Sequence, residues 1–331
     1  MNGVLLVDKD IGLTSHDVVA KARRLLGIKS IGHAGTLDPM ASGLLLLLVG
    51  EATKVSDYLL TGDKGYEVTV RLGVRTDSMD ITGKVLEQKS LDLTPDFEEK
   101  VREAALSVSG TVELAVPMHS AVKVNGKKLY ESAHKGEVPD EIPIRPMSFY
   151  DLEWLGARKA ETCDVTDVGG QTVSLSEGLE FTVRLRCSKG SFIRAWGNHV
   201  GQLLGLGGTL TRLRRVMSAP FEIGQAKRIA DLSSFRPEGS GPIAPEQAGS
   251  AWIPLAESLP HFGRIEVAGH DAKLLKNGQI SNALQGELLR RVQLGEPLKP
   301  MRVLHREEGS RLLALLVAEP GEFYKIRRVF T

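Results

Sequence analysis

The chain has 331 residues and a mass of 35.9 kDa, enough to bury a core in two domains or in one large domain with a small one beside it. A hydrophobic content of 42% supports such a core, and a formal net charge of +1 excludes a partner held by global charge alone. Cys163 and Cys187, the two cysteines, are far apart and lack metal-ligand spacing, which speaks against a zinc module or a disulfide framework.

Met1 to Lys9 lacks the basic lead and long apolar run of a signal peptide, which predicts a cytoplasmic protein. Gly3 to Val7 reads as a short buried strand. Thr14-Ser15-His16-Asp17 starts a helix whose apolar face is Val18, Val19, Ala22, Leu25 and Leu26, with Gly27 as its stop. Gly32 to Gly43 crowds glycines, small residues, His33 and Asp38 into a turn. The apolar run Leu44 to Val49 follows, read as a buried strand and too short to cross a membrane. A buried strand fixes the turn before it, and Pro39 disfavours helical geometry at Asp38 and removes a donor. The result is a rigid loop that a large planar group could approach. Taken alone, the Asp-Pro pair also fits a turn aspartate bonding its own backbone.

Tyr66 to Leu72 alternates as a half-buried strand. A second helix is predicted from Thr94-Pro95, with Phe97, Val101, Ala104, Ala105 and Val108 inward and Gly110 at its end. His119 to Tyr130 reads as a hairpin or loop tip with Lys127 and Lys128 outward. Phe181, Val183, Leu185 and Cys187 alternate as a strand, and Phe192, Ala195, Trp196, His199, Val200, Leu203 and Leu204 switch to helical spacing. Residues 233–250 are small, polar and proline-rich and form the predicted linker. A short final block holds a helical piece near Ala272 to Lys276 and strands at Leu312 to Val317 and Phe323 to Val329.

Strands and helices mix without a βαβ repeat, which predicts an α+β domain. Gly205-Leu206-Gly207-Gly208 is not a dinucleotide fingerprint, and there is no Walker loop. Between Arg184 and Arg228 the basic residues are Arg184, Arg186, Lys189, Arg194, Arg212, Arg214, Arg215, Lys227 and Arg228, with Glu222 the only acid. Such a run suits a phosphate backbone. Any one of these arginines could equally pair with an acid elsewhere in the fold.

The string Gly32-His33-Ala34-Gly35-Thr36-Leu37-Asp38-Pro39-Met40-Ala41-Ser42-Gly43 closely resembles the signature of the TruB family of pseudouridine synthases. The resemblance covers most of the chain. It implies that Asp38 is the catalytic nucleophile and that Arg194, in Cys187-Ser188-Lys189-Gly190-Ser191-Phe192-Ile193-Arg194, is its ion partner. Phe192 departs from the family's usual tyrosine and loses a hydroxyl. By the same resemblance Tyr66 stacks on the uracil and can pass a proton late. His33 lies beside the flipped nucleotide, Asp80 supports the arginine or the base, and Lys9 buttresses the site, with Asp10 where the family has proline. Lys127 and Lys128 fall in an RNA-closing loop near residues 118–136.

The resemblance implies a pseudouridine synthase domain at 1–250, with a mixed, largely antiparallel sheet and flanking helices, and a small β-rich PUA-like domain at 251–331. It implies isomerisation of uridine at position 55 in the T-loop of tRNA, with no metal or redox cofactor. The enzyme would be a monomer without an obligate protein partner or a membrane, its C-terminal module gripping the acceptor end. The competing readings are a guide-RNA-dependent dyskerin-like synthase, a non-catalytic tRNA-binding or folding protein, and a phosphate-binding small-molecule enzyme. Residues 161–176 look like an insertion relative to the family.

Overall fold

The apolar run after the Asp38 turn becomes an inner strand of a large sheet. The computed structural model describes residues 1–134, 141–234, 241–309, 311–319 and 321–330. Its strands begin with β1 (Gly3–Lys9), β2 (Ile31–Ala34), β3 (Ser42–Val49), β4 (Lys64–Leu72), β5 (Val74–Thr76), β6 (Val85–Gln88) and β7 (Gly110–Ala115). They continue with β8 (Lys123–Val124), β9 (Lys127–Lys128), β10 (Ile144–Ala160), β11 (Cys163–Thr166), β12 (Thr172–Leu175), β13 (Gly178–Cys187), β14 (Gly208–Ser218), β15 (Phe221–Glu222) and β16 (Trp252–Pro254). The last are β17 (Gly263–Val267), β18 (Met301–His305), β19 (Leu312–Val317) and β20 (Lys325–Val329). The helices are α1 (Ser15–Leu26), α2 (Ser56–Leu60), α3 (Phe97–Ser107), α4 (Leu129–His134), α5 (Ile193–Leu203), α6 (Ile229–Ser233), α7 (Gly269–Lys276) and α8 (Asn282–Gln293).

The main sheet runs β16-β1-β3-β14-β4-β13-β10-β7, with β2 added to β3 and β15 to β14. All pairings are antiparallel except β14 on β3, which is parallel and limited to Arg214↔Ser42 and Arg215↔Gly43. The α+β class and the mixed, largely antiparallel sheet expected from the sequence are what the chain forms. At the parallel contact Gly43 has φ +103°, and a Cβ there would run into the Arg215 backbone. Only glycine lets the two strands approach so closely.

The predicted helices form for the predicted reasons. Thr14 and Asp17 make a reciprocal cap on α1, and Gly27 ends it in the left-handed region. Val18, Val19, Ala22, Leu25 and Leu26 are buried. The second helix starts later than predicted, at Phe97, because Asp96 rather than Thr94 is its N-cap. In α5 the buried face takes in Arg194 and Asn198 beside Ala195, Trp196 and Val200, whereas Leu203, predicted inward, is 54% exposed.

Three expectations need correction. The glycine-rich stretch is not all turn: Ile31–Ala34 is strand, paired with Leu46–Val49. Gly32 and His33 hide it by breaking the apolar alternation. The last strand begins at Lys325, and Phe323 before it is 64% exposed. Of the expected linker 233–250, residues 235–240 lie outside the described residues, and the rest is packed rather than free. Ile243 N–H donates to Leu25 O at 3.1 Å, and Ile243 and Ala248 are buried. Beyond the expected boundary at 250, β16 still pairs with β1 in the main sheet, and the second sheet starts only at Gly263.

That second sheet, β17-β18-β19-β20, packs α7 and α8 on a core of Ile265, Leu275, Leu288, Val303 and Leu313. Leu304, Leu312, Leu315 and Phe330 instead join the main core, so the small β-rich unit is docked on the large one. Among the described residues no helix is long and apolar enough to cross a membrane.

Candidate active site

Asp38 stands in the short connection between β2 and β3, and its backbone is tied down on several sides. Arg215 is buried, 1% exposed, although it sits in a basic run. Its Nε donates to Leu44 O at 2.7 Å, Nη2 to Gly35 O at 3.1 Å and Nη1 to Thr36 O at 3.3 Å. One guanidinium thus stitches both ends of the loop to β14. Leu37 N–H donates to Ser15 Oγ at 2.9 Å on α1. Lys9 is also buried, and its Nζ donates to Leu13 O at 2.8 Å, Asp10 O at 3.0 Å and Pro39 O at 3.5 Å. Burial lowers the Lys9 ammonium to about 8, and the Asp38 charge opposes that shift.

The Asp38 side chain is 38% exposed and meets Arg194 from α5, whose Nε lies 3.1 Å from Asp38 Oδ2. Arg194 itself is 5% exposed. Its Nη1 donates to Ser78 O and its Nη2 to His119 O, both at 2.9 Å. Asp80 Oδ2 lies 3.6 Å from Nη1, and both side chains are buried. Asp80 Oδ1 accepts from the Thr82 N–H and hydroxyl, which fixes the carboxylate. The guanidinium is therefore oriented from three segments far apart in sequence.

Asp38 and Arg194 open onto a cleft of about 370 Å³ that Tyr66, Tyr130, Phe192 and Leu213 also line. Tyr66 is not the first residue of its strand but the third of β4, which begins at Lys64, and it pairs with Arg215 of β14. Burial raises the Tyr66 phenol above its usual range and keeps it protonated, with Arg215 opposing. Of the residues named from the sequence, Asp38, Tyr66, Phe192 and Arg194 meet at this cleft, while Asp80 and Lys9 hold its frame. His33 lies outside the lining, edge-on to His16 with ring centres 5.6 Å apart. Burial and the His16 charge lower its imidazole. Lys127 and Lys128 form β9 of a tight hairpin around Asn125-Gly126, whose positive φ values suit that turn. Lys128 Nζ donates to Tyr130 Oη at 3.3 Å, so the lysine pair leads to an aromatic of the cleft.

Sequence reasoning missed Arg215 and Tyr130. Arg215 sits in the basic run that reads as RNA-facing, yet it points into the fold. Tyr130 lay in the lysine segment but had no spacing to mark it. Most of the basic run is paired. Arg184 lies against Glu67 at 2.8 Å and Glu153 at 2.7 Å. Arg186 faces Asp151 at 3.1 Å, Arg214 Asp8 at 2.7 Å, and Arg228 Asp10 at 2.8 Å. The acids come from β1 and the residue after it, β4 and β10, so the run looks more basic in sequence than it is in space. Lys189 and Arg212 remain exposed. Among the described residues no cluster of histidine, cysteine or carboxylate side chains is arranged to hold a metal.

The model of the TruB family pseudouridylate synthase N-terminal domain matches residues 23–193. The chain is 42% identical over 330 residues to tRNA pseudouridine synthase B of Bdellovibrio bacteriovorus, covering 99% of this chain and 97% of that protein. It is 36% identical over 311 residues to the protein of the same name from Geobacillus kaustophilus, covering 94% and 99%. Among solved structures, a Cbf5-Nop10-Gar1 complex shares the fold with a TM-score of 0.62 at 20% identity, covering 99% of this chain and 85% of that one. A family model over half the chain and a near full-length relative at 42% identity make it a member of the TruB family of pseudouridylate synthases.

Proposed function

We propose that this chain isomerises uridine to pseudouridine at position 55 in the T-loop of tRNA, alone and without a metal or redox cofactor. The observation that carries the reading is a half-exposed Asp38 carboxylate held against a buried Arg194 at the mouth of an aromatic-lined cleft. The arginine contact orients the Asp38 carboxylate toward the cleft as a nucleophile. Asp38 attacks either the uracil ring or the ribose C1′. The C1′–N1 bond breaks, the base turns, and C1′–C5 forms. The C5 hydrogen leaves as a proton and N1 gains one, so no atoms are added to the nucleoside.

The uridine must first leave its stack, at a cost of a few kcal/mol. Stacking on a protein ring returns ~1–3 kcal/mol per base. Tyr66, Phe192 and Tyr130 supply ring surface in the cleft, and Tyr66, held protonated, is placed for late proton transfer. In this reading Asp80 and Lys9 brace the pair, His33 shapes the space beside the flipped nucleotide, and Lys127 and Lys128 close on RNA. The large unit does the chemistry, and the small β-rich unit grips the acceptor end. The setting is the cytoplasm, with the protein working as a monomer.

The test is purified protein alone on unmodified tRNA transcript carrying 5-tritiated uridine. Tritium release at position 55 is expected, and Asp38→Asn should bind the tRNA and release none. Substantial product from Asp38→Asn removes the nucleophile assignment. Product only when guide RNA and partner proteins are added removes the stand-alone assignment.

A further inference from the structure

Residues 161–176, the segment for which the sequence offered no role, fold as the hairpin β11–β12 beside the site rather than as a free loop. Its base is clamped. Arg71 Nη2 donates to Ser176 O at 2.6 Å and Glu161 O at 3.0 Å, joining the two ends. Gln88 of β6 donates to Ser174 O at 3.1 Å and accepts from Ser176 N–H at 3.2 Å. At the far end, Val168 N–H donates to Thr82 O at 3.0 Å. Thr82 is the residue whose N–H and hydroxyl both hold Asp80 Oδ1. Asp80 in turn faces Arg194, and Arg194 faces Asp38.

We infer that this hairpin is a positioning brace for the catalytic pair. It presses on the outer side of the loop that carries Asp80, while Leu210 holds the inner side by accepting from Ile81 N–H at 2.8 Å and donating to Met79 O at 3.1 Å. With both sides fixed, the Asp80 carboxylate has one place to stand, and so has the guanidinium it orients. The acidic Glu161, Asp164, Asp167 and Glu177 in and beside the hairpin make it a poor surface for phosphates, which favours bracing over RNA contact. Val168 acts here through its backbone alone, its side chain being 79% exposed. The inference rests on the proposed isomerase activity.

The turn allows a specific test. Gly170 N–H donates to Asp167 O at 3.0 Å, and Val168 follows Asp167 directly, at the turn position where proline is well accommodated. Val168→Pro therefore removes the one donor to Thr82 and keeps the turn, whereas Val168→Ala keeps the donor. A single backbone hydrogen bond translates into a roughly three- to tenfold lower kcat if its loss is felt in the transition state. We expect that loss in Val168→Pro, with KM for tRNA unchanged, wild-type kinetics in Val168→Ala, and faster amide exchange at Thr82. Replacing residues 163–175 by a short glycine-containing turn should lower kcat at least as much. Wild-type kcat in both Val168→Pro and the shortened chain would overturn the brace. An inactive wild-type chain would instead overturn the isomerase reading.

Discussion

Arg194 approaches Asp38 Oδ2 with Nε at 3.1 Å, while Nη1 and Nη2 donate to the carbonyls of Ser78 and His119. The fork that usually grips a carboxylate in two places is used to seat the arginine itself. Asp38 is thus met by a guanidinium fixed elsewhere, and its carboxylate stays 38% exposed toward the cleft. A two-point grip would quiet both oxygens of a nucleophile.

Arg194→Lys should not preserve activity. An ammonium cannot reach Asp38, Ser78 O and His119 O from one rigid plane. We expect a fall in kcat of about a hundredfold or more, as small misplacements of reacting groups produce. Arg194→Ala should also unfold at lower temperature, because Asp80 is left as a buried unpaired carboxylate at a cost of about 3–5 kcal/mol. Tritium release and thermal melts check both. A fully active Arg194→Lys would show that the seating is not needed.

Arg215→Lys should damage stability and activity together. The three carbonyls that Arg215 satisfies, Gly35, Thr36 and Leu44, cannot all be reached by one ammonium. A buried unsatisfied carbonyl costs about 1–3 kcal/mol. Urea unfolding and pseudouridine assays on the same sample test this, and a variant as stable as the parent would place the loop under other control.

Lys9 titrates at about 8, below its ordinary 10.5, because burial disfavours the ammonium. Its folded value is lower than its unfolded one, so between those pH values the unfolded chain holds more protons. The Lys9 contribution to stability is therefore lowest below pH 8 and rises as pH climbs through the window up to 10.5. Relative to Lys9→Met, the parent should gain about 2 kcal/mol of unfolding free energy from about pH 7.5 to about pH 9.5. Urea titrations at the two pH values give the difference directly, and a pH-independent difference refutes it.

Lys189, exposed next to the cleft-lining Ser191 and Phe192, should contact phosphate, and Arg184, tied between Glu67 and Glu153, should not. Lys189→Ala is expected to reduce the slope of log affinity against log salt by about one, and Arg184→Ala to leave it unchanged. Filter binding over a salt series separates them. Equal effects would mean that the Arg184 pairs open when tRNA binds.

Local spacing made much of this molecule legible. The apolar stripe of α1, the run that became β3 and the helical face after Phe192 were readable because each residue's environment follows from its near neighbours. Asp38 was legible as a rigid acid for the same reason. Arg215 was not, since its burial depends on β14 lying parallel to β3, a contact made by two residue pairs from distant parts of the chain. The basic run misled in the same way: the acids opposite Arg184, Arg186, Arg214 and Arg228 lie on other segments, beyond any window of sequence. The strand at Trp252–Pro254 was hidden by the proline-rich stretch before it, which reads as slack although it is packed.

That late strand sets an order of events during synthesis. One flank of β1 is met by β3 early; on the other, Lys227 bonds Leu6 and Asp8, but Gly3 to Leu5 have no strand partner until Trp252–Pro254 emerges from the ribosome. Through most of translation the nascent chain therefore carries an open hydrogen-bonding border at its oldest strand. A fragment ending at residue 250 keeps the Gly3 to Leu5 part of that border open for good and should self-associate where the full-length protein stays dispersed.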